Sequence, residues 1–169
     1  GSSVVSSDQE AAAVVLIQWT GGQIGNDGVT TADYVGEMNP GSDVFCPTVG
    51  KRAIEDSTIV VMNTSNATIN DVSITFKDRL GADVGTPMTN ISIPANSQKT
   101  FNLFDAAFAL PDNFLGAARV QSTGGAPLAV VATTHWGSAG GAYGTFAYNC
   151  AATAAAAETL YAPKVQRRV

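Results

Sequence analysis

The sequence predicts an all-β fold, an antiparallel two-sheet sandwich of Ig-like or jelly-roll-like type, with an incomplete second repeat and terminal strands available for exchange. Three observations predict it. β-Branched and aromatic residues gather in short runs, Gly, Pro and Asn punctuate those runs at near-even spacing, and two stretches of the chain recur at one offset. Residues 116–136 (GAARVQSTGGAPLAVVATTHW) answer residues 1–19 (GSSVVSSDQEAAAVVLIQW), with Gly1 on Gly116, Val5 on Val120, and Ala13-Val14-Val15 on Ala129-Val130-Val131. VFCPTVGKR (44–52) answers LYAPKVQRR (160–168), pairing Phe45 with Tyr161, Pro47 with Pro163, Val49 with Val165 and Arg52 with Arg168. The offset is 115 from Gly1 to Gly116 and 116 from Pro47 to Pro163, a difference that one inserted residue near Ala126 or Pro127 accounts for. The expected organisation is a back part of a repeat at 1–43 (a hairpin plus a Gly-rich loop), a complete sandwich module of roughly 115 residues at 44–158, and the first strand of a next module at 159–169.

In chain order, Val4-Val5 and Ala13 to Trp19 read as two strands of a hairpin joined by the polar turn Ser6 to Glu10. Residues 20–43 are rich in Gly and Asn, with turn signals at Asn26-Asp27-Gly28 and Asn39-Pro40-Gly41 and one strand expected around Val29 to Tyr34. Phe45 to Arg52 opens the full module, Pro47 marking it as an edge or a strand start because proline cannot donate to a ladder. Ser57 to Thr64 is a nearly continuous apolar run, the pattern of a strand covered on both faces. Asn70 to Lys77 alternates, with Val72, Ile74 and Phe76 on one side and Ser73, Thr75 and Lys77 on the other.

Asp78 to Asp83, containing Gly81, predicts a hairpin turn, after which the chain returns through Val84 to Met88 and Asn90 to Ile93. Pro94 to Ser97 predicts a further turn before a strand at Lys99 to Leu103. Asp105 to Asn113 is the one helical piece expected, about one turn with Asp105 as N-cap and Pro111 closing it. Strands follow at Gly116 to Ser122 and Leu128 to Trp136. Ser138 to Ala147 is small and Gly-rich, Ala151 to Ala157 reads as a linker, and the last strand is expected at Thr159 to Val165.

Composition narrows the function classes. The chain is 45% hydrophobic and only 14% charged, with a formal net charge of −5. It offers no basic field for nucleic acid and no apolar run of the roughly 18 to 20 residues a bilayer span requires. The two cysteines, Cys46 and Cys150, lie 104 positions apart, near the two ends of the full module. Neither recurs in the repeat: Cys46 faces Ala162, and Cys150 falls near Gly36. They read either as a disulfide clasp, formed in an oxidising compartment, or as two buried thiols.

Residues that could carry chemistry are sparse. A lone His135 has no cysteine beside it in sequence, and Glu55-Asp56, Asp78 and Asp83 sit at turns, where carboxylates cap backbone groups. Oxygen ligands around Asn26-Asp27 and Asp33 follow no EF-hand or nonapeptide pattern. Gly21-Gly22 and Gly140-Gly141 lack the lysine of a phosphate-binding loop. No cofactor and no metal are expected. Asn63, Asn66 and Asn90 each open an N-glycosylation triplet, and Lys51, Lys77 and Lys99, on strands, are candidates for an intramolecular Lys–Asn bond.

Taken together, FCPTVGKR, TIVVMNTSN, VSITFKDRLG, IPANSQKTFN, LPDNFLGAARV and LAVVATTHW resemble the tandem β-sandwich modules of large secreted bacterial cell-surface proteins. In those modules a border strand followed by basic residues opens each unit. The resemblance covers about residues 44–169 and, in its back half, 1–52. It implies a secreted, cell-surface, repeat-built sandwich and carries no catalytic residue across; the two cysteines and the Gly-rich insert at 20–43 depart from it. The expectation is a non-enzymatic structural subunit of an extracellular filament or surface assembly. It would polymerise with itself head to tail by strand exchange, with Leu160, Tyr161, Pro163 and Val165 as the candidate inter-subunit strand. The alternative is a carbohydrate-binding or adhesive module of a longer tandem-repeat protein, binding surface glycans through Trp19, Trp136, Tyr143 and Phe146.

Overall fold

The computed structural model of the chain describes residues 3–6, 8–9, 13–20, 29–37, 39–137 and 143–155, with the backbone alone at 18–20, 29–31, 143 and 155. It is all-β and antiparallel, as the sequence predicts. A two-stranded sheet pairs β1 (Val14–Thr20) with β2 (Val29–Val35). The remaining strands are β3 (Asp43–Arg52), β4 (Glu55–Asn63), β5 (Ile69–Asp78), β6 (Asp83–Ile93), β7 (Gln98–Asn102), β8 (Phe114–Ser122), β9 (Leu128–Gly137), β10 (Tyr143–Asn149) and the short β11 (Ala151–Ala152). They form one layer in the order β10-β9-β4-β7 and another in the order β3-β8-β5-β6, with β11 on β3. At one corner the layers join, where Lys51 pairs with Asp56 and Arg52 with Glu55 across the Ala53-Ile54 turn.

The core lies between the layers, and alternation places it there. Val44, Val120 and Ile74 stand side by side across β3, β8 and β5, all buried, while Ile59 faces Ala132 on β9 and Phe101 on β7. Phe76 of one layer and Phe101 of the other both meet Phe108, at centroid distances of 5.0 and 6.4 Å. Phe108 is delivered by the short 3-10 turn Ala106–Phe108. Asp105 caps the turn, its carboxylate accepting from Ala107 N at 2.9 Å, and Ala109 in the left-handed region (φ 47°) ends it before Pro111.

Pro47 sits within β3, not at its start, on a strand that ends its layer and is flanked there by β8 alone, so the edge expected from the proline is met. β3 bulges between Cys46 and Val49, where Pro47 and Thr48 oppose the single residue Ala117 of β8. The extra residue removes the need for a ladder donor at the proline and returns Val49 to the buried face. The Asp78–Asp83 turn is as expected, with Gly81 at φ 87°, a conformation open to glycine without steric cost. On β6 the two expected strands are one, with left-handed residues at Gly85 and Asn90 and repeated register shifts against β5. Such irregularity, together with Pro87, protects an edge strand from adding a further chain.

Four other expectations change. β1 pairs with β2, and Val4-Val5 form no strand: a two-residue apolar run offers too few ladder bonds to compete with the seven-residue register of β2. β4 is not covered on both faces, because Ile59 and Val61 are buried while Val60 and Met62 on the outer face stay half-exposed. The Gly-rich stretch after residue 138 contains β10, and the expected linker at 151–157 starts with β11 and a 3-10 turn, Thr153–Ala155.

The fourth concerns Asn63, which is fully buried and cannot carry a glycan in the folded chain. Its Nδ2, the atom a sugar would occupy, donates to Ala67 O, Ile93 O and Pro94 O at 2.7, 3.0 and 3.1 Å. Its Oδ1 accepts from Ser65 N and Ser65 Oγ at 2.8 and 2.7 Å, so this side chain ties the β4–β5 turn to the end of β6. Asn63→Ala leaves these carbonyls without their partner and is expected to cost about 2 to 3 kcal/mol, read as a lower urea midpoint at unchanged slope. Asn66 and Asn90 are exposed.

Candidate functional site

Two hairpins of this molecule share one register. In β1–β2, Val15 faces Tyr34; in β9–β10, Val131 faces Asn149. The step is 116 from Val15 to Val131 and 115 from Tyr34 to Asn149, and five of the six other pairs of the first hairpin map onto pairs of the second in the same way; the sixth, Val14 with Val35, falls on Val130 and Cys150, just past the end of the ladder, where Cys150 N donates to Val130 O at 2.9 Å. This frame puts Val35 on Cys150, one residue from the Gly36 position expected from the sequence, because the loop joining β9 to β10 is one residue shorter.

The inward face of the second hairpin is core. Val130, Ala132 and Cys150 are 0%, 0% and 1% exposed. Their counterparts Val14, Leu16 and Val35 point to one face of β1–β2 and are 70%, 71% and 51% exposed. Val5, which the repeat places on fully buried Val120, is exposed as well. Burying a side chain of this size is worth about 1.5 to 3 kcal/mol, so the face is a large unsatisfied apolar surface for so small a hairpin. Its edge is also open: β9 is flanked by β10 and β4, whereas among the described residues β1 pairs with β2 alone. The hairpin is held to the module where Asn149 Nδ2 donates to Val35 O at 2.6 Å and β2 runs beside β10. On its other face Ala32 is buried and Tyr34 half-buried, which pushes the Tyr34 hydroxyl pKa upward.

What covers the equivalent face of β9–β10 is β3. Cys46 of β3 is disulfide-bonded to Cys150 at the end of β10, with a Cα–Cα distance of 4.5 Å. The Tyr148 hydroxyl donates to Thr48 O at 2.6 Å and accepts from Thr48 N at 3.2 Å, satisfying the backbone groups that the bulge frees from the ladder. Burial pushes Tyr148 up to about 12, which keeps it a neutral donor.

The remaining candidates are committed to structural contacts. His135 Nδ1 lies 3.0 Å from Thr145 Oγ1, and partial burial lowers its pKa against the opposing influence of Asp56 across the ladder. Glu55 is buried against Arg52, Asp56 accepts from Asn102 Nδ2, and the Asp78 carboxylate caps Leu80 N and Ala82 N. Lys77 pairs with Asp83 and Lys51 with Asp112, at 2.8 and 3.2 Å, so neither reaches for an asparagine amide; Lys99 is exposed. A depression of about 350 Å³ is lined by Asp43, Phe45, Arg119 and residues 151–153. Its charges satisfy each other: Arg119 grips Asp43 through two bonds of 2.8 and 2.7 Å, which holds the carboxyl below its ordinary range.

Among the described residues no group of three or more His, Cys, Asp or Glu could hold a metal, and no helix is long and apolar enough to cross a membrane. Asp33 is exposed on β2, while Asn26 and Asp27 lie outside the described residues, as do Leu160, Tyr161, Pro163 and Val165. Of the aromatic candidates, Trp136 is partly exposed and lies 5.4 Å from Phe146, which stacks on Tyr148 at 5.9 Å. Its indole lies where a side chain at Gly144 would stand, which requires glycine there. The side chains of Trp19 and Tyr143 lie outside the described residues.

The signal that could have found Val35 and Tyr148 is the repeat itself, extended from the first strand of each hairpin to the second. Comparison with family models, with curated proteins and with solved structures finds no match to this chain.

Proposed function

We propose that this protein is a structural subunit of an extracellular filament or surface assembly, whose copies join head to tail by β-strand complementation. One observation carries the reading: Val14, Leu16 and Val35 repeat the register of a fully buried hairpin face and yet stand bare. Soluble monomers rarely leave such a contiguous apolar surface bare, and larger ones mark interaction sites; an open strand edge beside it supplies the backbone groups through which another chain can add. A head-to-tail contact whose rotation does not close produces an open filament. The Cys46–Cys150 bond fits a chain that matures in an oxidising compartment.

Sedimentation and negative-stain microscopy of the purified protein test this. Wild type is expected to form particles larger than a monomer, and Val14→Glu with Leu16→Glu is expected to abolish them. The unfolding free energy of the variant should stay within about 0.5 kcal/mol of wild type, because both side chains already face water. Undiminished assembly in that variant, or a wild type that is monomeric at all concentrations, overturns the reading.

The part-exposed pair Trp136 and Phe146 favours a second reading, an adhesive module that binds surface glycans through aromatic faces. Retention of the monomeric variant on immobilised glycans, with loss in Trp136→Ala, would select it.

A further inference from the structure

We infer that the element covering the β1–β2 face is the segment Leu160–Arg168 of a second copy, laid down as β3 is laid on β9–β10 within the module. This rests on the assembly reading above and names its donor. The inference follows from carrying three contacts of the structure through the two sequence matches. The Cys46–Cys150 contact becomes Ala162 against Val35, since Cys46 matches Ala162 and the hairpin register places Cys150 on Val35. The Thr48–Tyr148 contact, in which the tyrosine hydroxyl meets the backbone of Thr48, places residue 164 beside residue 33, that is, Lys164 near Asp33. The ladder pair Val44–Val120 becomes Leu160 against Val5.

Each translated pair is chemically matched. A disulfide becomes two small apolar side chains of the kind that pack at such a distance, Val–Val becomes Leu–Val, and the position next to the exposed carboxylate of Asp33 is taken by a residue with a cationic side chain, Lys164. Pro163 matches Pro47, so the same bulge can be made, and the donor needs no amide where β3 has none. The hairpin face presents Val14, Leu16 and Val35 with a single charge, Asp33, among its described side chains, and the segment brings Lys164 to meet it.

The geometry gives a residue-specific test. Val35→Cys with Ala162→Cys restores at the interface the pairing that Cys46 and Cys150 make inside the module, where a Cα–Cα distance of 4.5 Å suits a disulfide. In the full-length protein under mild oxidation, the double variant is expected to give a ladder of covalent multimers on non-reducing gels, collapsed by reductant. Each single variant is expected to give nothing beyond a dimer. Val35→Cys with Tyr161→Cys, one residue out of register and on the opposite side of the strand, should give no ladder.

A double variant that closes only on itself, with monomeric mobility and no free thiol, overturns the proposal in favour of the chain's own tail. Absence of the ladder while wild type still forms large particles also overturns it, and leaves the assembly reading standing with another donor. Absence of both ladder and particles removes the two together. The Asp33–Lys164 contact has its own readout: Asp33→Lys should weaken assembly about 10-fold or more, and Asp33→Lys with Lys164→Asp should recover it.

Discussion

Phe108→Ala is expected to lower the unfolding free energy by about 3 to 5 kcal/mol, against less than about 1 kcal/mol for Phe104→Ala four residues earlier. The contrast isolates position from residue type. Phe108 is fully buried and touches both layers, edge-on to Phe76 at 5.0 Å and near Phe101 at 6.4 Å, while Phe76 also meets Phe114 at 5.9 Å. Deleting its ring opens a cavity at the centre of an aromatic group drawn from β5, β7 and β8, and the surrounding strands cannot close it without breaking their ladders. Phe104 is about half exposed, with Lys51 Nζ 5.6 Å above its ring, so its removal forfeits far less burial, plus one cation–π contact at the surface. Urea titration of the two variants checks this. Equal losses would mean that the 3-10 turn contributes to stability through its backbone and not through the ring it delivers.

That turn was also legible in the sequence, for physical reasons that separate what could be read from what could not. Asp105, one turn of small residues and Pro111 are local signals, and the structure realises them with the expected cap. The alternation of Val72, Ile74 and Phe76 is local as well, since period two alone assigns their face. The misread elements are those whose identity depends on a distant partner. β10 reads Tyr-Gly-Thr-Phe-Ala-Tyr-Asn, weak in β-branched residues, and becomes a strand because β9 lies beside it and Cys46 anchors its end. The pairing of β1 with β2 is set by a seven-residue register across a Gly-rich loop, which no local pattern announces. Asn63 looked like a glycan acceptor because Asn-Thr-Ser is one. Its burial follows from carbonyls on β6 and the turn before β7 that converge on it from 30 residues away. The bare face was half legible: the sequence showed Val14 to be the partner of Val130, but only exposure showed that one is covered and the other is not.

Replacing both cysteines, Cys46→Ala with Cys150→Ala, is expected to cost about 4 to 5 kcal/mol, since in the chain-entropy model a closed loop near 100 residues contributes that much. The link spans 104 residues, nearly the whole module, and joins its first long strand to the end of β10. For a module of this size the melting temperature should fall by on the order of 15 °C or more. The same substitutions bear on assembly in a way that separates the fold from the contact between copies. Inside the module the face of β9–β10 is closed covalently, whereas the corresponding positions on the hairpin carry Val35, and on the matching segment Ala162, neither of which can cross-link. The covalent version is confined to the folding unit and the non-covalent version is left for the neighbour. Below its reduced melting temperature the cysteine-free protein should therefore still form particles of wild-type size, while above it particles and ladder structure should vanish together. Calorimetry and light scattering on one sample decide the matter. Loss of particles at a temperature where circular dichroism still reports a folded sandwich would show that the disulfide shapes the contact surface itself, and that β10 must be locked to β3 before a second copy can add.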